Sequence, residues 1–147
     1  MDYTATRLEL EGLATLFLET NEVNNLLEDK DFYLMLDNEL LKREYRMKIS
    51  QDTYGILKDF FEDTHGEKLE EIDIEKRKVF HCFSLPCLED EYVFVTMEQS
   101  VEKEVVNCDV LYTMTITEKS GEGRYKSIKV SANVYSRLFF DMTWGVE

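Results

Sequence analysis

Apolar positions recur along this chain with two periods. They fall on every second residue between 43 and 49 and again over 109–118 and 124–130. They fall three or four apart between 50 and 64 and from 132 to 142. The first spacing is that of a strand with one buried face, the second that of an amphipathic helix. Tyr45, Met47 and Ile49 alternate with Glu44, Arg46 and Lys48, which predicts a half-buried strand over 43–49 with a base-rich wet face. Ser50 follows as a helix cap, with Asp52 placed to suit the helix dipole. Tyr54, Ile56, Leu57, Phe60 and Phe61 form a broad apolar stripe to about residue 64, and Gly66 is the expected stop, with His65 just before it. Tyr112, Met114 and Ile116 oppose Thr113, Thr115 and Thr117 across a strand predicted at 109–118. The turn residues Ser120, Gly121, Glu122 and Gly123 lead to a partner strand at 124–130, with Ile128 and Val130 inward. Ser131 caps a final helix at 132–142, on which Tyr135, Leu138, Phe139 and Met142 share a face. Trp144 is expected to pack back on it.

The remaining segments read less simply. Leu10, Leu13, Ala14 and Phe17 fit one face of a short helix over 8–18, although Gly12 weakens it and Leu8/Leu10 also alternate with Glu9/Glu11. Val23, Leu26 and Leu27 predict another short helix within 19–31, capped by Thr20 or Asn21. Residues 32–40 fit a short buried strand and turn as well as a helix. From Lys68 the period drops to two, and Ile72 and Ile74 alternate with Glu71, Asp73 and Glu75. Residues 78–84 are apolar on both sides, which predicts a strand away from any exposed edge, ended by Leu85-Pro86. Residues 91–97 read as a central strand. The order implies an α+β domain: an antiparallel meander of about four to six strands, covered on one face by helices and closed by a C-terminal helix.

Composition agrees with this. The chain has 147 residues, 44% of them hydrophobic, enough for one domain over 1–147 with a real core and no internal linker. No apolar run reaches the ~18 residues of a membrane span, and the polar, acidic start shows no secretory signal. Three cysteines, Cys82, Cys87 and Cys108, do not suggest a disulfide framework, so a reducing, cytoplasmic setting is expected.

Charge changes the picture more. Seventeen bases against 31 acids give a net charge of −14. Residues 1–75 hold 20 acids and 8 bases (−12), and residues 76–147 hold 11 and 9 (−2). Such a chain repels phosphate, so direct nucleic-acid binding and anionic membranes are disfavoured. The expected partner is a basic protein, such as a nucleic-acid-binding protein or a toxin.

Candidate chemistry is sparse. His81 and Cys82 are neighbours on a strand and point to opposite faces, so with Cys87 and Cys108 they make a poor zinc set. A cysteine–histidine pair would need Cys87 or Cys108 to meet His65 or His81, and nothing in the spacing demands it. The phosphate loop, dinucleotide fingerprint, calcium loop and serine elbow are absent. No cofactor, metal or catalytic set is expected. What stands out is an acidic run: Asp59, Glu62, Asp63, Glu67, Glu70, Glu71, Asp73 and Glu75, accompanied by only Lys58 and Lys68. Glu71, Asp73 and Glu75 are expected on one strand face, roughly 6–7 Å apart in steps of two, too far for one tight cation cage.

Three functions follow as expectations. The first is a non-catalytic binding module that meets a basic protein through 59–75, in the manner of an inhibitor, an immunity protein or a phage accessory protein. The second is a homodimer or chaperone-like oligomer joined through Phe139, Phe140, Met142 and Trp144. The third is a ligand pocket or enzyme on the sheet, lined by His81, Tyr92, Tyr112, Thr113 and Tyr125.

Overall fold

A computed structural model of the chain describes residues 7–22, 30–61, 71–103, 109–119 and 123–146. The fold is α+β, with two antiparallel sheets and two helices. Strands β1 (Arg7–Leu10), β2 (Ala14–Glu22), β3 (Lys30–Asn38) and β4 (Arg43–Ile49) pair in sequence order. Helix α1 (Gln51–Phe61) follows. The second sheet comprises β5 (Glu71–Ile72), β6 (Arg77–Ser84), β7 (Val93–Glu102), β8 (Leu111–Glu118) and β9 (Tyr125–Val130), in the order β5-β9-β8-β7-β6. Helix α2 (Ala132–Trp144) closes the described chain. The expected antiparallel meander is present in each sheet, as β1–β4 and as β6–β9.

The helix expected over 8–18 is a hairpin. Gly12 has φ +78°, a left-handed conformation that glycine adopts without steric cost, and Leu13 N–H donates to the Leu10 carbonyl at 3.0 Å. Leu10 then pairs with Ala14 and Leu8 with Leu16, all four buried. Leu8, Leu10, Ala14 and Leu16 satisfy a period of two, and Leu13 is buried in the turn between the strands. The helix expected within 19–31 gives way to β2 as far as Glu22, while Val23, Leu26 and Leu27 lie outside the described residues. At the end of β3, Asn38 is buried, and its Oδ1 accepts from the Leu40 and Leu41 amides at 2.9 and 3.0 Å. That side chain builds the turn into β4.

Both helix caps are as the sequence implies. Ser50 Oγ accepts from Thr53 N–H, and Ser131 Oγ from Val134 N–H, each at 3.1 Å. Gly66 and His65 lie outside the described residues.

The inner faces of both sheets and both helices feed one continuous core. It holds Leu16, Leu34 and Leu36 from the first sheet, Leu57 and Phe61 from α1, Met97, Met114 and Ile128 from the second sheet, and Leu138 from α2. On the opposite face of β7–β9 the centre, formed by Glu98, Ser100, Thr113, Thr115 and Ser127, is polar and yet buried. Glu98 accepts from the Thr96, Thr115 and Thr113 hydroxyls at 2.6, 2.9 and 3.3 Å, and Thr115 also bonds Ser127. Burial raises the Glu98 carboxyl above its ordinary pKa, against the opposing pull of the three hydroxyls. No helix among the described residues is long and apolar enough to cross a membrane.

Two further expectations fail. Among the described strands β6 is an edge of its sheet, with Val79, Phe80, His81 and Cys82 exposed. Its apolar character therefore does not mark an interior strand, and the Cys82 thiol on it is exposed. Trp144 is not buried against the helix: it meets the Phe140 ring, with centroids 6.5 Å apart, but stays 74% exposed.

Candidate functional site

The predicted acidic run divides along the chain. Asp59 is exposed on α1 and lines an open groove of about 820 Å³ with Asp52, Phe32, Tyr54 and Ile56. The Phe32 and Tyr54 rings form one wall, with centroids 4.8 Å apart. Arg137 of α2 reaches this groove and stands 4.0 Å from Asp52. Glu62, Asp63, Glu67 and Glu70 lie outside the described residues.

Glu71, Asp73 and Glu75 do not share a strand face. Strand β5 is two residues long, and Ile74–Lys76 winds into a single 3₁₀ turn. Asp73 is the residue that turns the chain: its Oδ1 accepts from the Glu75 amide at 3.1 Å, capping the turn. The same oxygen accepts from the Tyr125 hydroxyl at 2.8 Å. The Tyr125 bond, then the Glu75 amide, hold the Asp73 carboxyl below its ordinary pKa, so it stays ionised. Burial and the Asp73 charge push the Tyr125 phenol up. Glu71, Ile72, Asp73 and Tyr125 line a second open groove of about 400 Å³. Glu75 is anchored by its main chain, whose carbonyl accepts from Lys103 Nζ at 2.9 Å.

Ion pairs of the described residues lie elsewhere. Lys48 pairs with Asp31, Lys119 with Glu89, Arg124 with Glu118 and Arg137 with Asp52. Among the described residues, the carboxylates of Asp59, Glu71, Asp73 and Glu75 have no ion-pair partner.

The other end of the second sheet carries a surface of which sequence reasoning anticipated the α2 aromatics but missed the β6 edge. Strand β6 exposes Val79 (39%) and Phe80 (53%). Beside it, Phe83 packs edge-on against Tyr135 and Phe139 of α2, with centroids 5.0 and 5.2 Å apart. His81 Nδ1 is hydrogen-bonded to the Tyr135 hydroxyl, and its ring meets Phe139. Burial, then the Cys82 and Glu98 charges, push the Tyr135 phenol up to about 12. Phe140 and Trp144 form an exposed ring pair farther around α2. The signal was present in the sequence: from Lys76 to Leu88 this acidic chain has three bases and no acid.

The residues expected to line one cavity are dispersed. Tyr112 and Thr113 point to opposite faces of β8, the first toward Tyr135 and the second toward Glu98. Tyr125 serves Asp73, and His81 serves α2. Cys82 and Cys87 are both exposed and free. Among the described residues, no group of three or more His, Cys, Asp or Glu side chains is arranged to hold a metal ion. Compared with protein-family models, curated proteins and solved structures, the chain matches none.

Proposed function

We propose that this chain is a non-catalytic protein-binding module that engages a basic protein surface through its 59–75 region, as an inhibitor, immunity or accessory protein does. One observation carries the reading. The described acids of the region are exposed and have no ion-pair partner among the described residues, while bases elsewhere in the chain pair with other acids. Unneutralised carboxylates repel one another, and a partner that brings cations removes that cost as it binds. Asp73 supports the reading further, because Tyr125 and the Glu75 amide fix its charge and its position. Complementary charge of this kind speeds encounter and sets specificity more than it sets final affinity.

The test is capture of a basic partner from the native host at low salt, repeated at high salt and with Glu67, Glu70, Glu71 and Asp73 reversed to lysine. The expected result is a cationic protein retained at low salt, released at high salt, and not retained by the reversed variant. Capture unaffected by charge reversal would contradict the proposal.

A further inference from the structure

We propose that the open edge of β6 pairs with the same edge of a second copy of this chain. The pairing is antiparallel about a two-fold axis that lies between the two strands, level with the Phe80–His81 peptide, and it joins two five-stranded sheets into one. This surface lies at the opposite end of the sheet from β5 and does not depend on the acidic region.

The backbone sets the register. In an antiparallel ladder, residues bonded to the neighbouring strand alternate with residues that point away from it. Leu85 N–H donates to the Val95 carbonyl at 3.0 Å, so Phe83 and His81, opposite Met97 and Gln99, also turn toward β7. At the other end Lys103 N–H donates to the Lys76 carbonyl at 3.3 Å, so Lys78, opposite Val101, turns toward β7 as well. The pairing shifts by one residue between Val79 and His81, a bulge that accommodates the difference. Arg77, Val79, Cys82 and Ser84 are left with their amides and carbonyls directed outward.

These four positions are symmetric. Arg77 and Ser84 lie equally far from the Phe80–His81 peptide, and so do Val79 and Cys82. Antiparallel pairing about that point sets Arg77 against Ser84 of the second copy and Val79 against its Cys82. All four outward residues then meet outward residues, giving up to about eight backbone hydrogen bonds. No other self-pairing register matches all four. An isologous contact requires this self-complementarity, which an unrelated strand would match only by coincidence.

Side chains and charge agree with the register. A two-fold axis perpendicular to the sheet keeps each face continuous, so α2 of each copy flanks the seam on the same face. Phe139, 40% exposed beside Phe83, gains cover there. Two chains of charge −14 repel, and the acid-free stretch from Lys76 to Leu88 lets them meet without opposing carboxylates. The two Arg77 side chains stand at opposite ends of the ladder, roughly 23 Å apart along it and beyond two screening lengths at physiological salt.

Sedimentation equilibrium of the full chain across the micromolar range is expected to show a dimer. Val79→Glu with Phe80→Glu places like charges at the axis. It should raise the dimer dissociation constant on the order of 100-fold, with circular dichroism confirming that the chain stays folded. A second variant tests the register directly. With Cys87→Ser and Cys108→Ser, mild oxidation should cross-link Val79→Cys to Cys82 of the second copy. Cys82 alone should not cross-link, because it stands three residues out of register with its own copy. Within one chain, positions 79 and 82 are ~10 Å apart on an extended strand, beyond disulfide reach. A monomer throughout, a dimer untouched by the glutamates, or a dimer without the Val79→Cys cross-link would each overturn the proposal.

Discussion

The five-stranded sheet ends in opposite ways. At one side β5 is two residues long, turns at once into a 3₁₀ turn, and carries Glu71, Asp73 and Glu75. At the other, β6 runs for eight residues with exposed valine and phenylalanine and no acid. Short edge strands and charged side chains are the usual means by which proteins prevent unwanted strand addition. The β5 end uses both, while the β6 end has its bulge and, at its start alone, the bases Arg77 and Lys78. A long apolar edge on an otherwise acidic surface is a liability unless something covers it. The two ends thus fit two kinds of contact, an electrostatic one at β5 and backbone pairing at β6.

The row of polar side chains between these ends offers the largest effect. Glu98 lies opposite Cys82 of β6 on one side and Thr113 of β8 on the other. Glu98→Ala leaves the buried Thr113 and Thr115 hydroxyls without this acceptor and should cost about 1–3 kcal/mol, read from denaturant unfolding. The loss should loosen the β6 end more than the β5 end. Equal loosening of both, followed by amide exchange, would erase the contrast. Acidity provides a second readout. The folded-state pKa of Glu98 lies above its unfolded value. Its contribution to stability is therefore complete below the ordinary carboxyl value of 4.5 and is lost as pH rises through the folded pKa. Glu98→Gln should flatten that part of the stability profile measured by thermal melting.

A smaller effect is expected at the β5 end. Tyr125→Phe removes the leading cause of the lowered Asp73 pKa. The carboxyl should then titrate closer to its ordinary value, followed by NMR of the Asp73 side chain. The linkage has the opposite sign to that of Glu98. The contribution of Asp73 is present above its unfolded pKa and is lost as pH falls through the folded one. An unchanged titration would mean that Tyr125 does not hold this carboxylate.

Much of the fold was legible where local chemistry determines local structure. Ser50 and Ser131 cap helices because a hydroxyl at that position accepts a first-turn amide, wherever the helix later packs. The β8–β9 hairpin follows from alternation on both sides of a glycine-containing turn. At 8–18, the spacing of Leu10, Leu13, Ala14 and Phe17 satisfied a helical stripe, and the deciding feature was the left-handed Gly12 between two short strands. The edge position of β6 was not legible. Its residues resemble those of an interior strand, and only the order of strands, set by long-range pairing, leaves it with one neighbour. The same limit hid Glu98, whose burial depends on three threonines on two strands. Of the candidate acids, exposure was legible from charge alone. Their division was not, because it depends on Asp73 ending β5 and starting a turn.

Amide exchange along β6, read residue by residue by NMR at a concentration where the dimer is populated, tests the contrast most directly. Cys82 and Ser84 should be protected in the unmodified chain and unprotected in the Val79→Glu, Phe80→Glu variant. Phe83 and Leu85, bonded to β7, should be protected in both. Equal exchange of Cys82 and Ser84 in the two proteins would contradict the assignment of β6 as a pairing edge.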